Sequence, residues 1–182
     1  MITATQPSTL TLKTAVNSAD LAAIGDIATI TWNQTFTNII GQQAVNSELE
    51  RWYSIEGLQE QINAGETFLL IETEARIPVA YFSYSIETAP RELLGAPLPL
   101  PALKLHKLYC LPNQQGKGIG QFAVEQLKTI AHQHHCHTVM LLVNRQNPAV
   151  AFYKHQGFRI LKNWDSQPGE VKREDYVMIT LI

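Results

Sequence analysis

Residues 108–120 read LYCLPNQQGKGIG, and this stretch decides how the rest of the chain is interpreted. A β-type run that ends at Cys110 is followed by a loop with glycines at positions 116, 118 and 120, and a helix-periodic segment begins at Ile119. A strand that leads through such a loop into a helix directs successive backbone N–H groups and the positive end of the helix dipole toward one point. The stretch therefore predicts a binding site for a phosphate or pyrophosphate group.

Spacing excludes the two commonest phosphate-binding loops. A Walker-type loop needs a glycine at position 111 and Ser or Thr after Lys117, but the chain has Leu111 and Gly118 there. A dinucleotide-binding loop needs a glycine at position 121 and an acidic residue about 20 positions further on. The chain has Gln121, and residues 136–138 are Cys-His-Thr. The loop therefore belongs to another class of phosphate site.

Hydrophobic periodicity and turn residues predict alternating strands and helices around this loop. Ser18 is the expected N-cap of a first helix, Ser47–Glu50 has a capping-box pattern, and a helix that resumes after Ser54 is expected to stop at Gly65. The predicted order is β, α, α, β, β, β, α, β, α, β, β, in a single domain spanning residues 1–182. This order predicts an α/β (α+β) fold, with a mixed, mainly antiparallel sheet flanked by helices.

Composition is that of an ordinary folded protein, with 45% hydrophobic and 16% charged residues and a net charge of −2. This charge gives no general attraction to nucleic acid or to an anionic membrane. The first residues, MITATQPSTLTLKTAV, have neither a basic start nor a long apolar run, so we expect a cytoplasmic protein. Cys110 and Cys136 are expected to be packed thiols.

Two segments together resemble the GNAT superfamily of N-acetyltransferases. The family signature is Gln or Arg, two residues, Gly, one residue, then Gly or Ala, and Gln115, Gly118 and Gly120 match it. Downstream, VNRQNPAVAFYKHQGF matches a second family pattern through Tyr153 and the Gly-Phe pair at positions 157 and 158. The segments occur in the order and separation that the family requires. The resemblance covers about residues 103–162 closely and the rest by element order only.

The resemblance implies an acyl-CoA N-acyltransferase fold with acetyl-CoA as cosubstrate and no metal. It implies that the backbone of Leu108, Tyr109 and Cys110 pairs with the pantetheine arm. The amides of the loop would hold the pyrophosphate; these belong to Gln115, Gly116, Lys117, Gly118, Ile119 and Gly120. Three alternatives concern side chains. Lys117 either adds a charge or is solvated, Asn147 either contacts the cofactor or only caps a helix, and Gln146 is the alternative to Asn147 for the cofactor contact.

Two residues carry the predicted chemistry. A phenol near the sulfur helps to expel the coenzyme A thiolate, so Tyr153 is the predicted general acid, with a core tyrosine as the alternative. Attack requires a neutral amine, and His106 is the candidate base because histidine titrates near neutral pH. Several relatives have a carboxylate at this position; the alternatives are a water chain and a structural histidine. Strand alternation places the side chain of Tyr109 on the opposite face of the strand from that of His106, and predicts that it only packs.

The expected acceptor is a primary amine of a small molecule, polyamine-like or amino-acid-like, or of a peptide. Its recognition is expected from residues 32–53, with Trp32, Phe36, Trp52 and Tyr53 as aromatic walls, and from a proline-rich loop at residues 88–101. That apolar loop and the terminal strand also favour a homodimer. The alternative function is a non-catalytic acyl-CoA sensor.

A cluster of histidines beside Cys136 raises the question of a metal site. It contains His132, His134, His135 and His137. These residues straddle a helix end and a strand start, with no second ligand pair at fixed spacing elsewhere. No metal site is therefore expected.

Overall fold

A computed structural model describes residues 9–88, 98–166 and 173–182, so most of the predicted proline-rich loop lies outside the described residues. No helix in these ranges is long and apolar enough to cross a lipid bilayer. The elements are, in chain order, β1 (Thr11–Thr14), α1 (Ser18–Ile40), α2 (Gln42–Tyr53), α3 (Ile55–Asn63), β2 (Thr67–Glu72), β3 (Pro78–Glu87), β4 (Ala102–Cys110), α4 (Ile119–Gln133), β5 (Thr138–Asn144), α5 (Ala149–His155), β6 (Arg159–Ser166) and β7 (Arg173–Leu181).

The strands form one seven-stranded sheet in the order β1-β2-β3-β4-β5-β7-β6. Neighbouring strands are antiparallel except β4 and β5, which run parallel. A parallel pair needs a long crossover connection, and the glycine-rich loop with α4 supplies it. The predicted mixed, mainly antiparallel sheet flanked by helices is confirmed.

Helices cover both faces of the sheet. On one face, α4 and α5 pack against a cluster that includes Leu69 and Ile71 of β2. On the other face, α1 and α3 pack against Phe68 and Leu70 of the same strand. Alternate residues of β2 therefore enter different cores, which explains why TFLLIE is an almost continuous apolar run.

Strands β4 and β5 separate part of the way along their length. They pair only from Ala102–Thr138 to Leu105–Leu141. Beyond this point β4 continues to Cys110 beside β3, whereas β5 continues to Asn144 beside β7. The separation leaves a gap in the middle of the sheet, with an unpaired strand edge on each side.

A β-bulge in β4 lies at the start of this gap. Ser83 pairs with Lys107 and Tyr84 pairs with Leu105, so His106 is an extra residue without a partner in β3. The bulge interrupts the alternation of side chains along the strand. The prediction that the side chains of Tyr109 and His106 lie on opposite faces of β4 is therefore wrong, because it counted the alternation through the extra residue.

Three details of the helices differ from the predictions. Asn17, not Ser18, is the N-cap of α1, because its side chain accepts a hydrogen bond of 3.0 Å from the Asp20 amide. The capping-box pattern at residues 47–50 lies inside α2, which already begins at Gln42. A third helix, α3, accounts for the additional element. It begins after Ser54 as predicted, and the Ser54 side chain caps it by accepting from the Gly57 amide at 3.1 Å.

Replacement of the two adjacent polar residues should distinguish the true cap of α1. Asn17→Ala should lower the free energy of unfolding by about 1 kcal/mol, because the Asp20 amide loses its partner. Ser18→Ala should change it by less than about 0.5 kcal/mol, as for an exposed position without such a contact. Urea unfolding of both variants measures the difference, and equal losses would contradict the assignment.

Candidate active site

A cavity of about 450 Å³ opens where β4 and β5 separate, on the face covered by α1–α3. This size is typical of sites for small molecules. All four predicted aromatic wall residues line the cavity, together with Tyr109. The bulge therefore brings His106 and Tyr109 into one cavity.

The aromatic wall is centred on Trp32. Its ring centroid lies 4.6 Å from that of Phe36, 5.5 Å from that of Tyr53 and 6.2 Å from that of Tyr109. The Trp32 indole N–H also donates to the Tyr53 hydroxyl at 3.1 Å. Burial raises the pKa of Tyr53, so this phenol stays neutral. The wall thus presents apolar ring faces, with polar groups at the ring edges.

Charged side chains complete the cavity as pairs of opposite sign. The Lys107 ammonium lies 2.5 Å from a Glu66 carboxylate oxygen, and burial lowers its pKa although Glu66 opposes the change. Arg173 of β7 donates to Glu48 of α2 at 2.9 Å, and both residues line the cavity. Burial also raises the pKa of Asp175, which lines the same cavity.

His106 lies among these groups with one ring nitrogen already in use. Its Nε2 atom is 2.8 Å from the Ser85 hydroxyl. Burial lowers the pKa of His106 to about 4; Glu66 opposes the change, and Lys104 and Lys107 contribute to it. The imidazole is therefore neutral at physiological pH and can accept a proton.

The glycine-rich loop presents free backbone donors. Within the described chain, no acceptor is found for the N–H groups of residues 116 to 121. Gly116 and Gly118 have φ angles of 75° and 81°, a region that favours glycine, and Gly118 is the N-cap of α4. The predicted helix start at Ile119 is confirmed. A run of unpaired amides at a helix N-terminus can bind an anion such as a pyrophosphate.

The third glycine of the loop has a packing function. A Cβ atom at Gly120 would lie 3.0 Å from the ring of Phe152. Gly120 thus lets the first turn of α4 approach α5 closely.

The side chains of two further predicted residues have local partners. The Lys117 ammonium donates to the Gln114 amide oxygen at 3.1 Å and is exposed. The Asn147 side-chain oxygen accepts from the Ala149 amide at 2.9 Å, at the start of α5. Gln146 is exposed, and its backbone N–H donates to the Asn144 side chain. The N-cap of α5 is Pro148, and the Asn147 side chain contacts the first residue of this helix, so both predicted alternatives for Asn147 stay predictions.

Tyr153 lies on the other side of the sheet from His106, in the core beneath α4 and α5. Its ring contacts those of Phe152 and Phe158, with centroids 5.2 and 5.6 Å away. Burial raises the pKa of Tyr153, and the Tyr109 phenol adds to the rise. In the described part of the chain its hydroxyl has no hydrogen-bond partner. The hydroxyl is thus a protonated donor, and it does not line the cavity that contains His106.

Cys110 ends β4 beside the gap and is a free thiol. Burial raises its pKa to about 11, with Lys117 opposing the rise. The nucleophilic form of cysteine is the thiolate, which this pKa disfavours at neutral pH. Cys110 is thus poorly suited to forming a covalent acyl intermediate.

Among the residues that the structure describes, no group of three or more His, Cys, Asp or Glu side chains could hold a metal ion.

Strands that separate beside a glycine loop with free amides offer a site for an extended ligand that carries an anionic group. The sequence matches the Acetyltransferase (GNAT) family over residues 29–158. The chain therefore belongs to this family, as its motifs predict. Membership also confirms the prediction that acetyl-CoA is the cosubstrate.

Solved structures show the same fold. The PaiA N-acetyltransferase of Thermoplasma acidophilum, in complex with coenzyme A, is 19% identical, with a TM-score of 0.72 over 96% of this chain and 99% of that chain. The ribosomal-protein-alanine N-acetyltransferase of Brucella melitensis is 22% identical, with a TM-score of 0.65 over 94% and 99%. YncA of Salmonella typhimurium, with its cofactor acetyl-CoA, is 21% identical, with a TM-score of 0.62 over 96% and 94%. No curated protein sequence matches the chain significantly.

The charged pairs of the cavity and the Ser85 contact of His106 were not predicted. Glu66 and Lys107 come from a turn and a strand that are 41 residues apart, and Glu48 and Arg173 are 125 residues apart. Sequence spacing carries no signal for such pairs. The contact between Ser85 and His106 could have been found only with the register of β3 and β4, including the bulge.

The low pKa of His106 should make folding stability depend on pH. Between pH 6.5 and about 4 the unfolded chain binds a proton at His106 and the native protein does not, so stability falls as the pH falls through this range. His106→Gln should therefore lose less stability than the wild type between pH 7 and pH 5. Urea unfolding at both pH values tests this, with His155→Gln at an exposed position as control. An equal loss in wild type and His106→Gln would contradict the assignment.

Proposed function

We propose that this protein is an acetyl-CoA-dependent N-acetyltransferase that acts on a primary amine of a small molecule, polyamine-like or amino-acid-like, or of a peptide. One observation carries the proposal. The gap between β4 and β5 lies between a loop with free amides at the N-terminus of α4 and a cavity that contains a neutral histidine. The gap would let a thioester held on the α4 side meet an amine held in the cavity.

Backbone groups would hold acetyl-CoA, which supplies an activated acetyl thioester. The pantetheine arm would pair with the free edge of β4 at Leu108, Tyr109 and Cys110, as an added strand does. The amides from Gly116 to Gln121 would donate hydrogen bonds to the pyrophosphate. The side chains of Lys117 and Asn147 have local partners, which supports recognition through the main chain.

His106 would act as the base. In the transfer a bond forms between the amine nitrogen and the acetyl carbon, and the carbon–sulfur bond breaks. An imidazole with a pKa of about 4 is too weak to deprotonate an alkylammonium ion efficiently. The nitrogen becomes far more acidic once it bonds to the carbonyl carbon, and His106 would accept its proton at that stage. The amine must therefore reach the site in its neutral form.

Tyr153 would act as the general acid on the leaving sulfur. Its hydroxyl is protonated and is not committed to another partner in the described chain. The raised pKa favours a strong hydrogen bond to the thiolate over a complete proton transfer, and solvent would then supply the final proton. The free thiol and the acetylated amine are the products.

The cavity supports a small amine or a peptide terminus as acceptor. Aromatic faces such as that of Trp32 attract ammonium groups and pack against methylene chains. The carboxylates of Glu48, Glu66 and Asp175 provide acceptors for additional amino groups. Because two of these carboxylates are paired with cations, the cavity also suits an acceptor that carries an anionic group. Formation of a homodimer stays a prediction.

A thiol-release assay tests the proposal. The protein is incubated with acetyl-CoA and a panel of polyamines, amino acids, aminoglycosides and short peptides, and free coenzyme A is measured. Release that depends on an amine supports the enzyme and defines its acceptor class. Binding of acetyl-CoA without release for any amine would favour the alternative of a sensor, and failure to bind acetyl-CoA would overturn the proposal.

Replacement of a loop glycine should weaken cofactor binding. Gly118→Ala forces a side chain into a left-handed conformation at a cost of about 1 kcal/mol, and relaxation of the loop would misdirect the amides. We expect coenzyme A to bind at least about tenfold more weakly in calorimetry, as when one charge-assisted hydrogen bond is lost. Gly65→Ala is the control, because Gly65 has a φ of 99° in a turn outside the site. Equal affinities of the two variants would contradict the role of the loop.

Removal of one phenolic oxygen tests the general acid. Tyr153→Phe should lower kcat by about 10- to 100-fold, as expected for a hydrogen bond to a developing charge, and should leave coenzyme A affinity almost unchanged. Tyr84→Phe, at a half-buried position on β3, is the control. Unchanged turnover of Tyr153→Phe would rule out the proposed role.

A further inference from the structure

A carboxylate that the proposed chemistry does not use is buried near His106. Glu87 is only 8% exposed and ends β3, and acidic side chains are rarely buried unless they are paired. It lies two residues after Ser85, so both side chains project from the same face of the strand. The strand thus directs a buried carboxylate and a hydroxyl toward the bulge in β4.

The three side chains form a continuous chain of hydrogen bonds. The Ser85 hydroxyl lies 2.9 Å from a Glu87 carboxylate oxygen and 2.8 Å from Nε2 of His106. His106 is the extra residue of the bulge; its Nε2 atom contacts Ser85 of β3, and the residue also lines the cavity. The bulge therefore allows one residue to contact both β3 and the cavity.

The direction of these hydrogen bonds follows from the number of protons available. A carboxylate has no proton, so Glu87 can only accept, and Ser85 must donate its single proton to it. The Ser85 oxygen can then only accept from His106, which requires a proton on Nε2. A neutral imidazole carries one N–H, so Nδ1 keeps its lone pair. In the described part of the chain Nδ1 has no hydrogen-bond partner.

We propose that Ser85 and Glu87 are positioning residues that hold His106 in its Nε2–H tautomer, so that Nδ1 is the proton acceptor facing the cavity. The inference rests on the proposed function and specifies which nitrogen of the base reacts. A carboxylate that fixes the tautomer of a histidine through a hydrogen bond is an established catalytic principle. Here a serine stands between the two groups.

The charges around His106 are compatible with this arrangement. Glu87 and Lys104 belong to the two strands that hold the chain of hydrogen bonds, with Ser85 opposite Lys104 in the sheet register. Lys107 and Glu66 face the ring from β4 and from the turn before β2, and these two are paired with each other. The Ser85 hydroxyl donates to Glu87 at 2.9 Å, so this carboxylate is the group that orders the serine proton.

Nitrogen NMR reads the tautomer directly. Protein labelled with ¹⁵N-histidine contains six histidines, and His106→Gln identifies the signals of His106. At pH 7 the wild type should show a protonated Nε2 and an unprotonated Nδ1. Ser85→Ala should lose this preference, whereas Ser85→Thr, which keeps the hydroxyl, should retain it. Glu87→Gln can donate to Ser85, reverse the chain and increase the population with the proton on Nδ1.

Kinetics supply a second readout. Ser85→Ala and Glu87→Gln should each lower kcat about tenfold, with the KM for acetyl-CoA almost unchanged, and Ser85→Thr should restore most of the rate. Glu74→Gln, the same chemical change at an exposed turn, should behave as the wild type. If Ser85→Ala does not fold, Glu87→Gln and Ser85→Thr still give the comparison.

Two results would overturn the inference. One is a wild-type His106 protonated on Nδ1; the other is a Ser85→Ala variant with unchanged nitrogen shifts and unchanged kcat. Full turnover of His106→Gln would instead refute the role of His106 as base, and the tautomer would still be established by the nitrogen shifts. The two failures are therefore distinguishable.

Discussion

The separation of β4 and β5 is the constraint on which the other features of this protein depend. Backbone N–H and C=O groups inside a protein need partners, and two strands that part leave such groups along their edges. The protein places a cavity on one side of the gap and a loop with free amides on the other. An extended ligand arm with its own amides can satisfy the free edges, which is why this interruption of the sheet suits a cosubstrate rather than a packed core.

Burial determines the chemistry of the groups beside the gap. It keeps the imidazole of His106 neutral, the phenol of Tyr153 protonated and the thiol of Cys110 unreactive. These protonation states agree with direct transfer of the acetyl group from the thioester to the amine, and they disfavour a covalent intermediate on cysteine. The charges that remain in the cavity are mostly paired, so the site obtains polarity without a large net field.

Much of the fold was predictable because its signals are local. The glycines at 116 and 118, the start of α4 at Ile119 and the apolar strands follow from turn chemistry and periodicity, and they agree with the structure. The N-cap of α1 was misassigned by one residue because Asn17 and Ser18 are both good caps, and only geometry separates them. The predicted orientation of Tyr109 was wrong because the sequence gives no clear indication of the bulge. The pairs Glu66–Lys107 and Glu48–Arg173, and the Ser85 contact, depend on long-range register and could not be predicted.

The bulge adds a single residue, His106, to an otherwise regular pairing of β3 and β4. Without the extra residue, Lys107 and Tyr109 would still face α1–α3, and Leu108 would still face α4, because the alternation on either side of position 106 is then continuous. The regular pairing with β3 therefore continues on both sides of the bulge, and the extra residue is the histidine. The proposed base is thus carried by the one residue of β4 between Leu105 and Lys107 that takes no part in the pairing with β3.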